Sequence, residues 1–154
     1  MSTLKATQIY QRHLDLVSAA VWAGDDHKAA QYICFPITMT TVDGVAVMHD
    51  AEELIAGSAA FRKSLLRIGA TEYHRICKTA SMSDDGLEIN GSHTTHVMSG
   101  GSYALPPYLT KMTLVWRDGL WLASQTTSQV ANSDCTILAS ETEAALEPAQ
   151  GTGQ

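Results

Sequence analysis

The sequence predicts an α+β fold in which a curved, mostly antiparallel sheet wraps around amphipathic helices. Apolar residues recur at helical spacing over residues 4–23 and again after Asp50, which indicates two amphipathic helices. From Thr71 onwards the apolar period changes to two, and Asp-Gly pairs interrupt the alternating runs. Such pairs are the strongest short-range signal for two-residue hairpin turns. Helices followed by antiparallel hairpins are typical of the α+β class.

Two helices are predicted at the start of the chain. Ser2 or Thr3 can cap the first helix, and Gly24 is well placed to end it. Asp25 can cap a second, shorter helix, which we expect to run to about Ile33 because Pro36 forbids its continuation.

A short hairpin and a third helix follow. Residues 35–42 are β-branched and strand-like, Asp43-Gly44 forms a two-residue turn, and residues 45–48 return as a second strand. Asp50, with a Glu three positions later, resembles a capping box and begins the third helix. Gly69 ends that helix.

The two runs around Asp85-Gly86 are predicted to pair as an antiparallel hairpin. The register that best separates apolar from polar side chains places His74 on the apolar face with His93. The same register places Arg75 opposite His96 on the polar face.

The last hairpin, residues 109–130, has the most regular pattern in the chain. Closing its turn at Asp118-Gly119 pairs Trp116 with Trp121, and Met112 with Gln125. One face is then apolar near the turn and polar at its far end. Such a face is consistent with the floor of a pocket and equally with an ordinary core edge.

Composition and charge limit the classes of protein and partner. The chain has 154 residues, 45% of them hydrophobic and 17% charged, which fits one globular domain. We expect this domain to span residues 1–131 and an acidic tail to span residues 132–154, with a short helix between Cys135 and Ala145. Most of the formal charge of −6 lies in that tail, so the sequence predicts no nucleic-acid binding.

No targeting or cofactor signal is found in the sequence. No apolar run approaches the roughly 18 residues that span a bilayer, and the N-terminal residues lack the apolar core of a signal peptide. Three scattered cysteines indicate reduced thiols. Residues 99–102, Ser-Gly-Gly-Ser, lack the lysine of a phosphate-binding loop. We therefore predict a cytoplasmic protein with no membrane partner and no cofactor.

Residues 4–130 resemble the nuclear-transport-factor-2-like superfamily, specifically its small bacterial SnoaL-like members. The resemblance is carried by the paired opening helices, the His-Asp-Ala-Glu-Glu-Leu entry to the third helix at residues 49–54, and the closing Trp-Arg-Asp-Gly-Leu-Trp at residues 116–121. It implies a cone-shaped, cystatin-like α+β barrel with an apolar cavity between sheet and helices. It also implies a homodimer that packs through the sheet.

The superfamily includes isomerases, dehydratases, cyclases and many non-catalytic binding proteins, so the fold does not choose a function. The resemblance implies a carboxylate base in the first strand for ketosteroid isomerisation. Residues 37–42 offer only Ile, Thr, Met and Val, and Asp43 lies in a turn. Ketosteroid isomerisation is therefore disfavoured.

His74 and His96 are the candidate general bases. His93 and His96 are three residues apart on a strand, so they point to opposite faces and cannot bind one ion together. Because no Cys or carboxylate is spaced to complete a zinc site, we predict no metal.

The candidate ligand-binding residues share a position near the expected mouth or wall of the cone. Arg75 would be the charge partner of an anionic or carbonyl-bearing ligand, if its face turns inward and not to solvent. The full set is Tyr10, Arg75, Tyr108, Met112, Trp121, Gln125 and Thr127.

Two functional hypotheses follow. The first is a dimeric, non-catalytic protein that binds a small, mostly apolar molecule in the cone. The second is a cofactor-free isomerase, dehydratase or cyclase with His74 or His96 as the base. The second hypothesis requires one of these histidines to face a closed apolar cavity.

Overall fold

The computed structural model describes residues 3–131, so the predicted acidic tail and its short helix lie outside the described residues. The helices and strands are, in chain order, α1 (Leu4–Ala23), α2 (Asp26–Ala30), β1 (Ile33–Thr41), β2 (Gly44–Met48), α3 (Ala51–Arg67), β3 (Glu72–Met82), β4 (Glu88–Ser99), β5 (Ser102–Tyr103), β6 (Tyr108–Arg117) and β7 (Leu120–Ser128). The predicted α+β class is confirmed.

One seven-stranded sheet is described, and its strand order is β2-β1-β7-β6-β4-β3, with β5 paired to β4. The pairing of β1 with β7 is parallel, and the other pairings are antiparallel. The sheet is curved and remains open, with β2 and β3 at its two edges. Helices α1 and α3 cover its concave face.

The predicted helix ends are largely confirmed. The Thr3 hydroxyl accepts a hydrogen bond from the Ala6 amide, and Gly24 adopts the left-handed conformation at the end of α1. The Asp50 carboxylate accepts from the Glu53 amide at the start of α3. Helix α2 ends at Ala30, earlier than expected, because Ile33 already pairs with β7.

The short hairpin of β1 and β2 has the predicted form, displaced by one residue. Thr41 pairs with Gly44, so the two-residue loop consists of Val42 and Asp43. Asp43 therefore lies at the tip of the hairpin, as expected.

The β6–β7 hairpin follows the predicted register near its turn and departs from it further along. Asp118 and Gly119 both have positive φ, as the turn requires, and Trp116 pairs with Trp121. A bulge at Ser124 then adds one residue to β7, so Met112 pairs with Thr126. The predicted Met112–Gln125 pairing was wrong for this reason.

The β3–β4 hairpin contains a second bulge. Pairs from Met82–Ile89 to Thr79–Ser92 match the prediction, whereas beyond Lys78 the register moves by one residue. His74 therefore pairs with His96, and Arg75 pairs with Thr95. The expected pairing of Arg75 with His96 was wrong.

A helix side chain holds the displaced segment of β3. The carboxamide of Gln11 donates to the carbonyl of Arg75 at 2.9 Å and accepts from the amide of Cys77 at 2.7 Å. Gln11 thus supplies one acceptor and one donor to an edge strand that has no further strand beside it. In the sequence, Gln11 lies 64 positions before Arg75 and 66 positions before Cys77, so no local pattern indicates these contacts.

The core lies between the concave face of the sheet and the two long helices. One apolar cluster is centred on Tyr10 and Leu14 of α1, and a second is centred on Leu65 of α3. Trp121 packs against the first cluster, while Trp116 is 42% exposed and contacts the Trp121 ring, with ring centroids 5.4 Å apart.

Candidate functional site

A cavity of about 140 Å³ lies between α1, α3 and the concave face of the sheet. Most of the surface that its wall exposes is apolar, and its apolar side chains are Val17, Val21, Ile33, Ile37, Met39, Met48, Leu54, Phe61, Met112 and Ala123. Its polar side chains are His13, Ser58, Tyr73, Arg75, His93, Thr95, Tyr108, Thr110, Thr126 and Ser128. An apolar wall with a few convergent polar groups is the usual form of a small-molecule site.

Arg75 places a cationic guanidinium in the cavity wall. It extends from β3 towards α1, where its Nε donates to the Ser18 hydroxyl at 2.7 Å and its Nη2 donates to the Leu14 carbonyl at 3.4 Å. No carboxylate within residues 3–131 forms an ion pair with this guanidinium. The cavity wall itself, as far as the structure describes it, contains no Asp or Glu.

His13 lies one residue before Leu14 in α1 and is only 4% exposed. Its Nε2 donates a 3.0 Å hydrogen bond to the Tyr32 carbonyl, so its other nitrogen, Nδ1, is the acceptor of the neutral ring. Nδ1 is the one buried side-chain polar atom of the described residues that has no hydrogen-bond partner. Burial lowers the pKa of His13 to about 4, which keeps the ring neutral near pH 7.

His93 forms a buried pair with Tyr10. Its Nδ1 shares a 2.7 Å hydrogen bond with the Tyr10 hydroxyl, and burial, followed by the charge of Arg75, lowers the pKa of His93 to about 2. Burial raises the pKa of the Tyr10 phenol. Both groups therefore stay uncharged near pH 7. The Tyr10 ring lies directly against Gly91, where a Cβ would be 2.6 Å from Cε2 of the ring.

Some of the predicted ligand-binding residues line this cavity. Arg75, Tyr108 and Met112 are part of its wall. Tyr10 lies behind the wall and contacts it through His93. Trp121 packs against the first core cluster and is not part of the cavity wall.

Two predicted ligand-binding residues lie on the other face of the sheet. Because of the bulge in β7, Gln125 and Thr127 are exposed, and Thr126 and Ser128 line the cavity in their place. The expectation that Gln125 and Thr127 would meet a histidine at the cavity mouth was therefore wrong.

The two candidate bases are also on the outer face. The bulge in β3 turns His74 away from the helices, and its side chain is 55% exposed and bonded to Glu72 at 2.9 Å. His96 pairs with it across the strands and is bonded to the exposed Tyr103 at 3.1 Å. Neither histidine lines the cavity, so the expectation that one of them would face it was wrong.

Two titratable residues of the cavity wall, His13 and His93, were not among the predicted site residues. His13 lies one helical turn after Ile9 and one turn before Val17, so its spacing already placed it on the apolar stripe of α1. His93 lies on the apolar face of its strand, as predicted, and it pairs with Cys77 on the neighbouring strand.

Within residues 3–131, no three His, Cys, Asp or Glu side chains lie close enough together to hold a metal ion. None of the described helices has the length and apolar character needed to cross a bilayer.

Several solved structures have the same fold at low sequence identity. Aln2 from a Streptomyces species is 16% identical, with a TM-score of 0.62 over 84% of this chain and 93% of that chain. A domain of unknown function with a cystatin-like fold from Nostoc punctiforme is 13% identical, with a TM-score of 0.64 over 94% of this chain and 85% of that chain.

An NTF-2 like protein of unknown function from Shewanella oneidensis is 15% identical, with a TM-score of 0.60 over 80% of this chain and 98% of that chain. No family model and no curated protein matches the sequence. At these identities the likeness concerns the fold alone. The chain has the cystatin-like fold of these NTF2-like structures, which is the fold that the sequence resemblance implied.

Proposed function

We propose that this protein binds a small, mostly apolar molecule in the cavity between α1, α3 and the sheet. The observation that carries the proposal is a cavity of about 140 Å³ with a mainly apolar wall and a small set of polar groups. An apolar cavity of roughly 150 Å³ accommodates a benzene-sized ring. The volume inside the cavity therefore suits a single ring.

Binding without catalysis is the better supported of the two hypotheses. The enzyme hypothesis needs His74 or His96 as a general base inside the cavity, and both lie on the outer face of the sheet. The strand segment that would carry a carboxylate base in an isomerase contains none here. The proposed function therefore needs only the shape and polarity of the cavity.

Thermal unfolding in the presence of single-ring compounds tests the proposal, because a ligand that binds only the folded state raises Tm by mass action. We expect a subset of a panel including toluene, phenol, indole and benzoate to raise Tm. The variant Gly57→Leu introduces a side chain at the cavity wall and should abolish these increases. Ala56→Leu, at an exposed position of the same helix, is the matched control.

Two further variants examine the outer face. His74→Ala and Gln125→Ala should leave the ligand-induced increases in Tm unchanged, because neither side chain lines the cavity. The proposal fails if no compound raises Tm in the wild-type protein, or if Gly57→Leu retains the full increase while folding normally by circular dichroism.

We also propose that the protein forms a homodimer through the outer face of the sheet, as the superfamily resemblance implies. Exposed apolar side chains on the two edge strands, Val45 and Val47 on β2 and Ile76 on β3, are compatible with contacts at both edges of that face. Sedimentation equilibrium at micromolar concentration tests it. A mass equal to one chain would contradict it.

A further inference from the structure

The polar groups of the cavity indicate which chemical class of ligand it binds. This inference rests on the proposed function. Arg75 uses two of its N–H groups on Ser18 and Leu14, and a guanidinium has further donors in a planar arrangement. No described carboxylate neutralises it. A cation at an apolar wall is best complemented by an oxyanion that accepts its remaining hydrogen bonds.

Arg75 requires a hydrogen-bond acceptor on the ligand, whereas His13 requires a donor. Its Nε2 proton is committed to the Tyr32 carbonyl, so Nδ1 can act only as an acceptor. This atom is buried and has no donor among the described residues. Buried polar atoms are nearly always hydrogen-bonded, and an exception calls for an explanation. Nδ1 itself has almost no accessible surface, so a donor on the ligand would satisfy it only after a small movement of the side chains that line the cavity.

The two residues are neighbours in the cavity wall. Both line the same cavity, and the guanidinium of Arg75 bonds the carbonyl of Leu14, the residue next to His13. We propose that the ligand is a small hydroxylated carboxylic acid whose carboxylate binds Arg75 and whose hydroxyl donates to Nδ1 of His13. The apolar wall contacts its ring or carbon skeleton.

Several other polar groups of the wall are already hydrogen-bonded within the protein. Thr110 and Ser128 hydrogen-bond to each other at 2.9 Å, and Ser58 donates to Asp26 at 2.6 Å. His93 already shares its Nδ1 with Tyr10. The proposal therefore uses the acceptor of His13, which has no hydrogen-bond partner, and the guanidinium of Arg75, which has no described carboxylate partner.

Isothermal titration with matched single-ring probes tests this inference. The probes are benzoate, its three monohydroxy isomers, phenol and toluene. We expect at least one hydroxybenzoate to bind about tenfold or more tightly than both benzoate and phenol, because each charged or buried hydrogen bond contributes to affinity. This ranking uses only the wild-type protein.

Variants then assign each preference to its residue. Arg75→Met should remove the preference for a carboxylate over a neutral ring, and His13→Phe should remove the preference for the hydroxyl. Arg12→Met removes the same charge from an exposed position of α1 and should change neither preference.

The outcomes separate the two proposals. If toluene and phenol bind as tightly as every hydroxybenzoate, the assigned ligand class is wrong and the proposed function stands. If none of the probes of this series or of the thermal panel binds, both proposals are wrong. If Arg75→Met and Arg12→Met weaken hydroxybenzoate binding equally, the effect is one of net charge, and the assignment to Arg75 is overturned.

Discussion

Nε of Arg75 donates a 2.7 Å hydrogen bond to the hydroxyl of Ser18, which fixes a side chain of the edge strand β3 against helix α1. The guanidinium is therefore held at the cavity wall before any ligand arrives. Preorganisation of this kind lowers the entropic cost of binding.

Removing the Ser18 hydroxyl should weaken binding of anionic ligands. We expect Ser18→Ala to lower the affinity for the best-binding hydroxybenzoate by roughly threefold to tenfold, because one hydrogen bond that positions Arg75 is lost. The affinity for neutral phenol should change little. Titration calorimetry checks both values, with Gln8→Ala at an exposed position of α1 as the control. Equal losses for both ligands would show that Ser18 does not act through Arg75.

The Tyr10–His93 hydrogen bond should contribute to stability. Tyr10→Phe leaves the buried Nδ1 of His93 without its partner, so we expect the free energy of unfolding to fall by about 1–3 kcal/mol. Urea denaturation measures the loss. The double variant Tyr10→Phe with His93→Phe removes both polar groups and should cost less than the sum of the single changes. Strict additivity would mean that the hydrogen bond is not energetically coupled.

Stability should fall as the pH drops below about 6.5, because His13 and His93 are buried and neutral in the folded state. Burial lowers their pKa values from 6.5 to about 4 and about 2 respectively, so the unfolded chain binds more protons over this range. The stability that these two neutral rings contribute is essentially complete well above pH 6.5 and is lost progressively below that value. We expect the free energy of unfolding to fall by about 2 kcal/mol between about pH 6 and pH 5.

The variant His13→Gln should remove about half of this pH dependence. The Asp26 carboxyl does not interfere, because its pKa is lowered from 3.8 and its contribution is lost only below that value. Urea denaturation at a series of pH values between about 5 and 7 makes the measurement. A pH dependence that is the same in His13→Gln and the wild type would show that His13 is not a source of it.

Any side chain at Gly91 should destabilise the protein. An added Cβ would lie 2.5 Å from the Thr79 carbonyl oxygen and 2.6 Å from Cε2 of Tyr10, closer than nonbonded atoms approach. We expect Gly91→Ala to lower the free energy of unfolding by about 1–3 kcal/mol. Asn90→Ala, at the neighbouring position, removes only exposed hydrogen bonds with Glu88 and Thr113 and should change it by less than about 1 kcal/mol. A Gly91→Ala protein as stable as Asn90→Ala would contradict the close packing of Tyr10.

Arg62 and Asp26 form an ion pair that ties α3 to α2. Arg62 Nη1 lies 2.8 Å from the Asp26 carboxylate, whose side chain is only 10% exposed. Burial raises the pKa of Asp26, but the hydrogen bonds from Arg62 and Ser58 outweigh it, and the net pKa is lowered. Arg62→Met should cost about 3 kcal/mol by leaving a buried charge unpaired. Asp26→Asn combined with Arg62→Met should recover part of the loss in urea denaturation, and no recovery would contradict this explanation.

The short-range signals of the sequence predicted much of the fold. The caps at Thr3, Gly24 and Asp50 and the turn at Asp118-Gly119 depend on the conformation of a few adjacent residues, and the structure has each of them as expected. The apolar periods likewise predicted the α+β class, because one buried face is needed by every helix and strand.

The site was predicted less well, and the reason is the geometry of strands. Successive side chains alternate between the two faces, so one extra residue exchanges the faces for the rest of the strand. The bulge at Lys78 brought Arg75 inward and left His74 outside, and the bulge at Ser124 exchanged Gln125 for Thr126. His13 was identifiable from its spacing, whereas its unpartnered Nδ1 was not.

By itself, then, the sequence determined the kind of fold, the positions of its turns and caps, and the absence of a first-strand carboxylate, since these depend on residue type and local conformation. Only the tertiary structure decided which side chains face the cavity. That choice depends on long-range contacts, such as those of Gln11 with the backbone of Arg75 and Cys77, which join segments that are far apart in the chain.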